Sequence, residues 1–281
     1  MTAAPHPFVI RRGGRDLAGL EWGSGDDHLV LLHPNGFCAG LFDPLARRLA
    51  IDHHVVAVDL AGHGRSAALP HYDLTFTRLA TDVIAVLDGL GIASAAAVGQ
   101  SLGGGVAVLV DRARPGLFRR LLLCEAVAFP ITGTGSNPMS ERARTRRLTW
   151  PDRATFIRTV ASKPPLADLA PDALHAYARW GLLDRADGRV QLACLPDTEA
   201  AIFEVSGTAD GAPAAWAHLP SLHAPAVVIA GDRSFLPLAM FEQQAAHGGG
   251  LPLEVLPGGH FLLQEDTSEA ADLLRSHLRS G

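Results

Sequence analysis

A chain of 281 residues, 48% hydrophobic and 19% charged, is long enough for one large α/β domain carrying an insertion and too apolar for disorder to be the default. Its formal net charge of −5 supplies no basic field, which argues against nucleic acid or an anionic membrane surface as a partner. Three widely spaced cysteines, Cys38, Cys124 and Cys194, form no C-x-x-C pair, so free thiols in a reducing cytoplasm are expected rather than a disulfide framework or a zinc site. The first fifteen residues lack an apolar run, and no signal peptide is expected. The apolar stretch 92–110 is broken by Gln100, Ser101 and several glycines and does not read as a membrane span.

Residues 8–12 and 16–22 flank Gly13-Gly14 and predict an opening hairpin. Leu29-Val30-Leu31-Leu32-His33 is a continuous apolar run, the pattern of a strand covered on both faces, and it leads into the loop Pro34-Asn35-Gly36-Phe37. A helix is expected over 41–49. Residues 54–59 form the next strand and end in the turn-rich Leu60-Ala61-Gly62-His63-Gly64-Arg65-Ser66. Phe76, Leu79, Ala80, Val83, Ile84, Val86, Leu87 and Leu90 recur at helical spacing until Gly91 stops them. Residues 94–98 then predict a buried strand, 106–110 the first turns of a helix, and 119–125 another strand. Strand, helix and strand alternate, which demands a mostly parallel, doubly wound α/β sheet with helices on both faces.

From Pro130 the texture changes. Residues 131–138 read as a linker, with a hinge suggested near 133–136. Helical stretches follow near 140–148, 152–160 and 171–183, then a polar excursion over 184–196 and a helix around 198–205. Sheet patterning returns at 225–232 and 253–256; Pro257-Gly258-Gly259-His260 comes next, and 268–278 makes a closing amphipathic helix. The expected organisation is a core built from 1–130 and 219–281, interrupted by a helical cap over 131–218.

Ser101 lies between Gly99 and Gly103, after the predicted strand and before the predicted helix. This is the pattern of a nucleophile elbow: a tight turn strains the serine backbone and lifts its hydroxyl clear of the sheet, and the glycines remove Cβ atoms that would collide. The helix N-terminus behind it offers N–H groups to an oxyanion. A serine hydroxyl is a poor nucleophile near neutral pH, so it needs a base and a group to orient that base. Among 13 histidines, His260 stands out, because it follows a core strand at a Gly-Gly turn, where ligands gather at the carboxyl edge of a parallel sheet. His33 and His63 also end strands and read as loop-shaping and packing residues. No H-x-x-x-H or H-E-x-x-H spacing calls for a metal. Arg142, Arg144, Arg146 and Arg147 suit a solvated helix face more simply than an acidic substrate group. Trp150 and Trp180 are candidates to line a substrate pocket, beside the expected cap-core aromatics Phe156, Phe203 and Trp216.

His33-Pro34-Asn35-Gly36-Phe37, residues 59–66, Gly99 to Gly103 and Gly259-His260-Phe261 fall in the order seen in α/β-hydrolases, and the chain resembles that family over nearly its whole length. The resemblance implies Ser101 as nucleophile, His260 as base, and an oxyanion hole made by the backbone N–H of Leu102 with one from the early loop. Phe37 is the first choice there, with Asn35 or Gly36 as alternatives, because this loop is longer than the His-Gly loop of many relatives. The usual aspartate, three residues past the glycine that ends the strand before the last, is replaced by Ser234. Asp232 is nearby, whereas Glu125 ends the strand after the elbow in a segment that looks like the haloalkane dehalogenase arrangement. Glu125 is preferred as the acid and Asp232 is the alternative. A serine at the elbow argues against dehalogenation and epoxide hydrolysis, which use an aspartate nucleophile in this fold. The expected function is hydrolysis of a small-molecule ester, lactone or thioester through an acyl-enzyme, with no cofactor, no metal, and the acyl substrate as partner. C–C bond hydrolysis or acyl transfer on the same triad is the alternative chemistry, and a non-catalytic ligand-binding protein is the alternative of another class.

Overall fold

The computed structural model describes residues 4–130 and 136–279. In chain order the first part of the core runs β1 (His6–Arg12), β2 (Arg15–Trp22), β3 (His28–Leu32), α1 (Asp43–Leu49), β4 (His54–Val58), α2 (Phe76–Gly89), β5 (Ala95–Gln100), α3 (Leu102–Ala113) and β6 (Phe118–Cys124). The middle of the chain carries α4 (Pro138–Arg144), β7 (Thr149–Trp150), α5 (Arg153–Val160), α6 (Pro171–Trp180), β8 (Leu182–Asp184), β9 (Val190–Leu192), α7 (Pro196–Ser206) and α8 (Ala212–His218). The core then resumes with β10 (Ala226–Gly231), α9 (Leu238–His247), β11 (Leu253–Leu256), α10 (Leu262–Glu265) and α11 (Thr267–Arg279). The large sheet has the order β1-β2-β4-β3-β5-β6-β10-β11, antiparallel at the opening hairpin and at β2–β4, parallel elsewhere.

The unbroken apolar runs are explained by burial on both faces. Successive residues of a strand point to opposite sides. Val30, Leu32, Val56, Val58 and Ala97 pack against Phe76, Leu79 and Val83 of α2 and Val106 of α3. Leu29, Leu31, Val55, Ala57 and Val98 pack on the other face, against Leu45 and Leu49 of α1 and Leu274 of α11. This is a doubly wound α/β sheet, and its parallel strands deliver residues 33–37, 59–66, 101, 125 and 260 to one carboxyl edge.

The middle block differs from its expected all-helical form. The 140–148 helix stops at Arg144 and the 171–183 helix at Trp180, and β7, β9 and β8 form a small antiparallel sheet through the polar excursion. Two- and three-residue strands are too short for a period-2 pattern to register, and α8 and α9 went unmarked for want of a long apolar stripe. The linker and hinge positions 131–135 lie outside the described residues. No helix among the described residues is long and apolar enough to cross a membrane.

Candidate active site

Ser101 sits between β5 and α3 with φ 55° and ψ −119°. Among the described residues the only other non-glycine with positive φ is Glu125 at φ 52°. Such conformations are costly for side-chain-bearing residues and persist only where surroundings enforce them. At Ser101 the enforcement is visible: its N–H donates to the Cys124 carbonyl at 3.0 Å, and its own carbonyl accepts from Val127 N at 2.9 Å and Gly104 N at 3.0 Å. A Cβ on Gly103 would overlap the Leu32 carbonyl, and one on Gly99 would overlap the α3 backbone, so this turn closes only with glycine at both positions. Leu102 opens α3, and its N–H, like those of every first helical turn, lacks an intrahelical acceptor.

Glu125 follows β6 directly, its N–H donating to Ile229 of the neighbouring β10 at 2.8 Å. Its fully buried carboxylate accepts from Gly231 N (2.7 Å), Ser234 Oγ (2.5 Å) and His260 Nδ1 (2.9 Å). His260, 5% exposed, follows β11. Gly258 N–H donates to Asp232 Oδ1 at 2.9 Å and Gly259 N–H donates to Glu265 Oε1 at 2.9 Å, which fixes the turn before it. Its carbonyl accepts from Gln100 Nε2 at 3.1 Å, linking the residue before Ser101 to His260. Gln100 and Gln264 exchange amide hydrogen bonds at 3.0 and 2.9 Å, so both buried amides are matched across the β5–α10 seam. The Phe235 ring lies 4.4 Å from the imidazole, centroid to centroid.

Two neutral imidazoles stitch the early loops together. His33 Nδ1 donates to the Pro34 carbonyl at 2.8 Å and its Nε2 accepts from Leu60 N at 3.0 Å; His63 Nδ1 donates to Ala61 O at 3.1 Å and its Nε2 accepts from Gly36 N at 3.0 Å. Each ring needs one bare nitrogen, and burial lowers the pKa of both, that of His63 to about 4. Asp59, pushed up to about 6 by burial, accepts from Ala39 N and Arg65 N. The middle block closes over the same loop. Arg146 pairs with Glu199 and reaches Tyr177 Oη at 3.2 Å, Tyr177 Oη donates to Gly36 O at 3.1 Å, and Asn35 Nδ2 donates to Glu199 O at 2.9 Å. Burial raises the pKa of Glu199, with Arg146 pulling against it, and raises Tyr177 to about 12.

A profile of the Alpha/beta hydrolase family matches residues 29–273. The chain belongs to that family. It is 30% identical over 200 residues to a non-heme haloperoxidase of Rhodococcus erythropolis, covering 66% of this chain and 71% of that protein. It is 33% identical over 141 residues to a bifunctional esterase/perhydrolase of Acinetobacter calcoaceticus, covering 47% of this chain and 48% of that protein. The solved structure of E-2-(acetamidomethylene)succinate hydrolase shares the fold, with a TM-score of 0.81 at 20% identity, covering 99% of this chain and 100% of that one.

In this alpha/beta hydrolase the His260 ring meets Glu125 and not Asp232. The Asp232 side chain is about half exposed, and its Oδ1 is taken by Gly258 N and Arg233. Of the early-loop N–H groups, Gly36's is committed to His63, and Phe37's makes a long 3.3 Å contact with Pro34 O. The Phe37 ring packs 4.7 Å from Tyr177 and 5.0 Å from Phe261, beside His260. Trp150 packs edge-on to Phe156 under the Arg147 guanidinium, within the middle block, and Trp180 fills the space over Gly40, where the middle block meets the core. The solvated reading of the arginine row holds for Arg142, Arg144 and Arg147, which are exposed, Arg144 beside Glu204 and Arg147 over Trp150; Arg146 turns inward onto Glu199. Sequence reasoning missed Gln100, Gln264 and Ser234 as site supports. Ser234 carried a signal, since it occupies the place of the family's usual aspartate and here donates a hydrogen bond to the Glu125 carboxylate.

Proposed function

We propose that the chain is a serine hydrolase cleaving a small-molecule ester, lactone or thioester through an acyl-enzyme on Ser101. The observation that carries this reading is the fully buried Glu125 carboxylate on His260 Nδ1, at the same sheet edge as an elbow serine held at positive φ. Glu125 fixes the tautomer, so that Nδ1 holds the hydrogen and Nε2 is free to take the Ser101 proton. Ser101 Oγ attacks the carbonyl carbon, and the oxyanion is met by Leu102 N–H and by Phe37 N–H, whose long contact with Pro34 is the weaker of the commitments in its loop. Protonated His260 returns the proton to the leaving group, then deprotonates the water that releases the acid.

A relative named as an esterase/perhydrolase supports a second fate for the same acyl-enzyme, transfer to hydrogen peroxide with release of a peracid. The test is labelling by a fluorophosphonate probe, joined to a panel of p-nitrophenyl esters, lactones and thioesters run with and without peroxide. Labelling mapped to Ser101, lost in Ser101→Ala together with turnover, is the expected result; folded protein that neither labels nor turns over any of the panel refutes the reading.

A further inference from the structure

At the sheet edge opposite Ser101, three donor groups converge on the last turn of α3. Asp111 is fully buried, and His218 Nε2 lies 3.1 Å from its Oδ2. The ring of His223 is exposed, sits 5.8 Å from that of His218, and has no hydrogen-bond partner on its nitrogens among the described residues. One ligand atom from each of the three lies within 4.8 Å of the others. We propose that Asp111, His218 and His223 bind a divalent transition-metal ion of the zinc type, stapling the segment that returns from the middle block onto the core helix α3.

Two of the three donors, Asp111 and His218, already face each other. Asp111 Oδ1 accepts from Ala224 N at 3.0 Å and Oδ2 from His223 N at 2.8 Å; these backbone donors fix the carboxylate and aim its remaining lone pairs. Ser221 Oγ is 3.0 Å from His218 Nδ1 and can donate instead to the His218 carbonyl at 3.1 Å. With the hydroxyl proton on that carbonyl, Nδ1 carries a hydrogen for Ser221 and the Nε2 lone pair faces Asp111. Two acceptor atoms 3.1 Å apart need a proton or a cation between them. Zinc bonds of about 2.0–2.2 Å in a tetrahedral site place neighbouring ligands about 3.3 Å apart, so His218 and Asp111, now 3.1 Å apart, need to part by only about 0.2 Å to hold the ion between them. The exposed His223 ring completes the third bond by a side-chain rotation, and water takes the fourth position. Two imidazoles and a carboxylate suit a borderline ion.

The proposal is independent of the chemistry at Ser101. Untagged protein freed of metal by dialysis against a chelator is titrated with zinc chloride, followed by calorimetry and thermal melting. One zinc per chain and a rise in Tm of about 5 °C at a hundredfold excess over Kd are expected. His223→Ala alters an exposed ring, should move the metal-free Tm by less than about 2 °C, and should weaken zinc binding by more than about tenfold. Absence of zinc binding in the parent protein, or an unchanged titration in His223→Ala, overturns the site.

Discussion

Both edges of the sheet hold a fully buried carboxylate on a histidine with a serine close by. Glu125 meets His260 at the edge that carries Ser101, and Asp111 meets His218 at the other, with Ser221 Oγ 3.0 Å from the second histidine. Among the described residues only the Ser221 hydroxyl is hydrogen-bonded to its histidine, so hydrogen bonding does not single out Ser101. The backbone does: Ser101 is held at φ 55° at the N-terminus of a 12-residue helix, whereas Ser221 closes a three-residue helical turn at the surface and has its own neighbour's carbonyl as acceptor. A relay lowers the cost of deprotonating a serine, but donors for the oxyanion must already be in place for the attack to go forward.

The largest effect expected is that of Glu125→Gln, which keeps the shape but lets His260 take the wrong tautomer; kcat should fall about 10⁴-fold. Asp232→Asn, which only loosens the Gly258 turn, should cost less than about tenfold. Equal losses in the two variants, measured on one p-nitrophenyl ester, would remove Glu125 from its assigned role.

Next in size is the clamp from the middle block. Arg146→Met strands the Glu199 carboxylate in a largely buried setting and should destabilise the fold by about 4 kcal/mol in urea unfolding; Arg146→Met with Glu199→Gln should recover most of that. A double variant no more stable than the single one would show that the two side chains act separately.

The neutral imidazoles give a pH signature. The folded pKa of His63 lies near 4, below its unfolded value of about 6.5, so the unfolded state takes up the proton first as pH falls. The His63 contribution, about 3 kcal/mol, is therefore complete above pH 6.5 and drains away between 6.5 and 4, and Asp59, raised to about 6, opposes it over the same window. His33 adds in the same direction. Unfolding free energies from pH 7 to 4 should flatten in His63→Asn; an unchanged slope contradicts the assignment. The smallest effect expected is that of Ser221→Ala, which should change turnover by less than about twofold and leave probe labelling intact. Labelling at Ser221 would mean that the second relay is also nucleophilic.

Much of the core and of its carboxyl edge was legible because local patterns encode it. Unbroken apolar runs marked β3 to β6, helical spacing marked α2, and the glycines around Ser101 marked a turn that admits no Cβ. The acid was not legible to the same degree. Whether Glu125 or Asp232 reaches His260 depends on which strand ends are adjacent and which way their side chains turn, and here β6 lies against β10, with Glu125 bent to φ 52° toward His260. The strands of the middle block are too short to show a period, and nothing local distinguishes Arg146 from its exposed neighbours in the arginine row, because its partner Glu199 lies 53 residues away. The zinc-type cluster escaped a search by spacing for the same reason, its carboxylate standing 107 residues from His218. What the sequence alone determined was the set of segments whose burial and turn geometry are local. What only the tertiary structure decided was which polar groups meet, because buried charges and amides are satisfied by neighbours in space, and chain order carries little record of those.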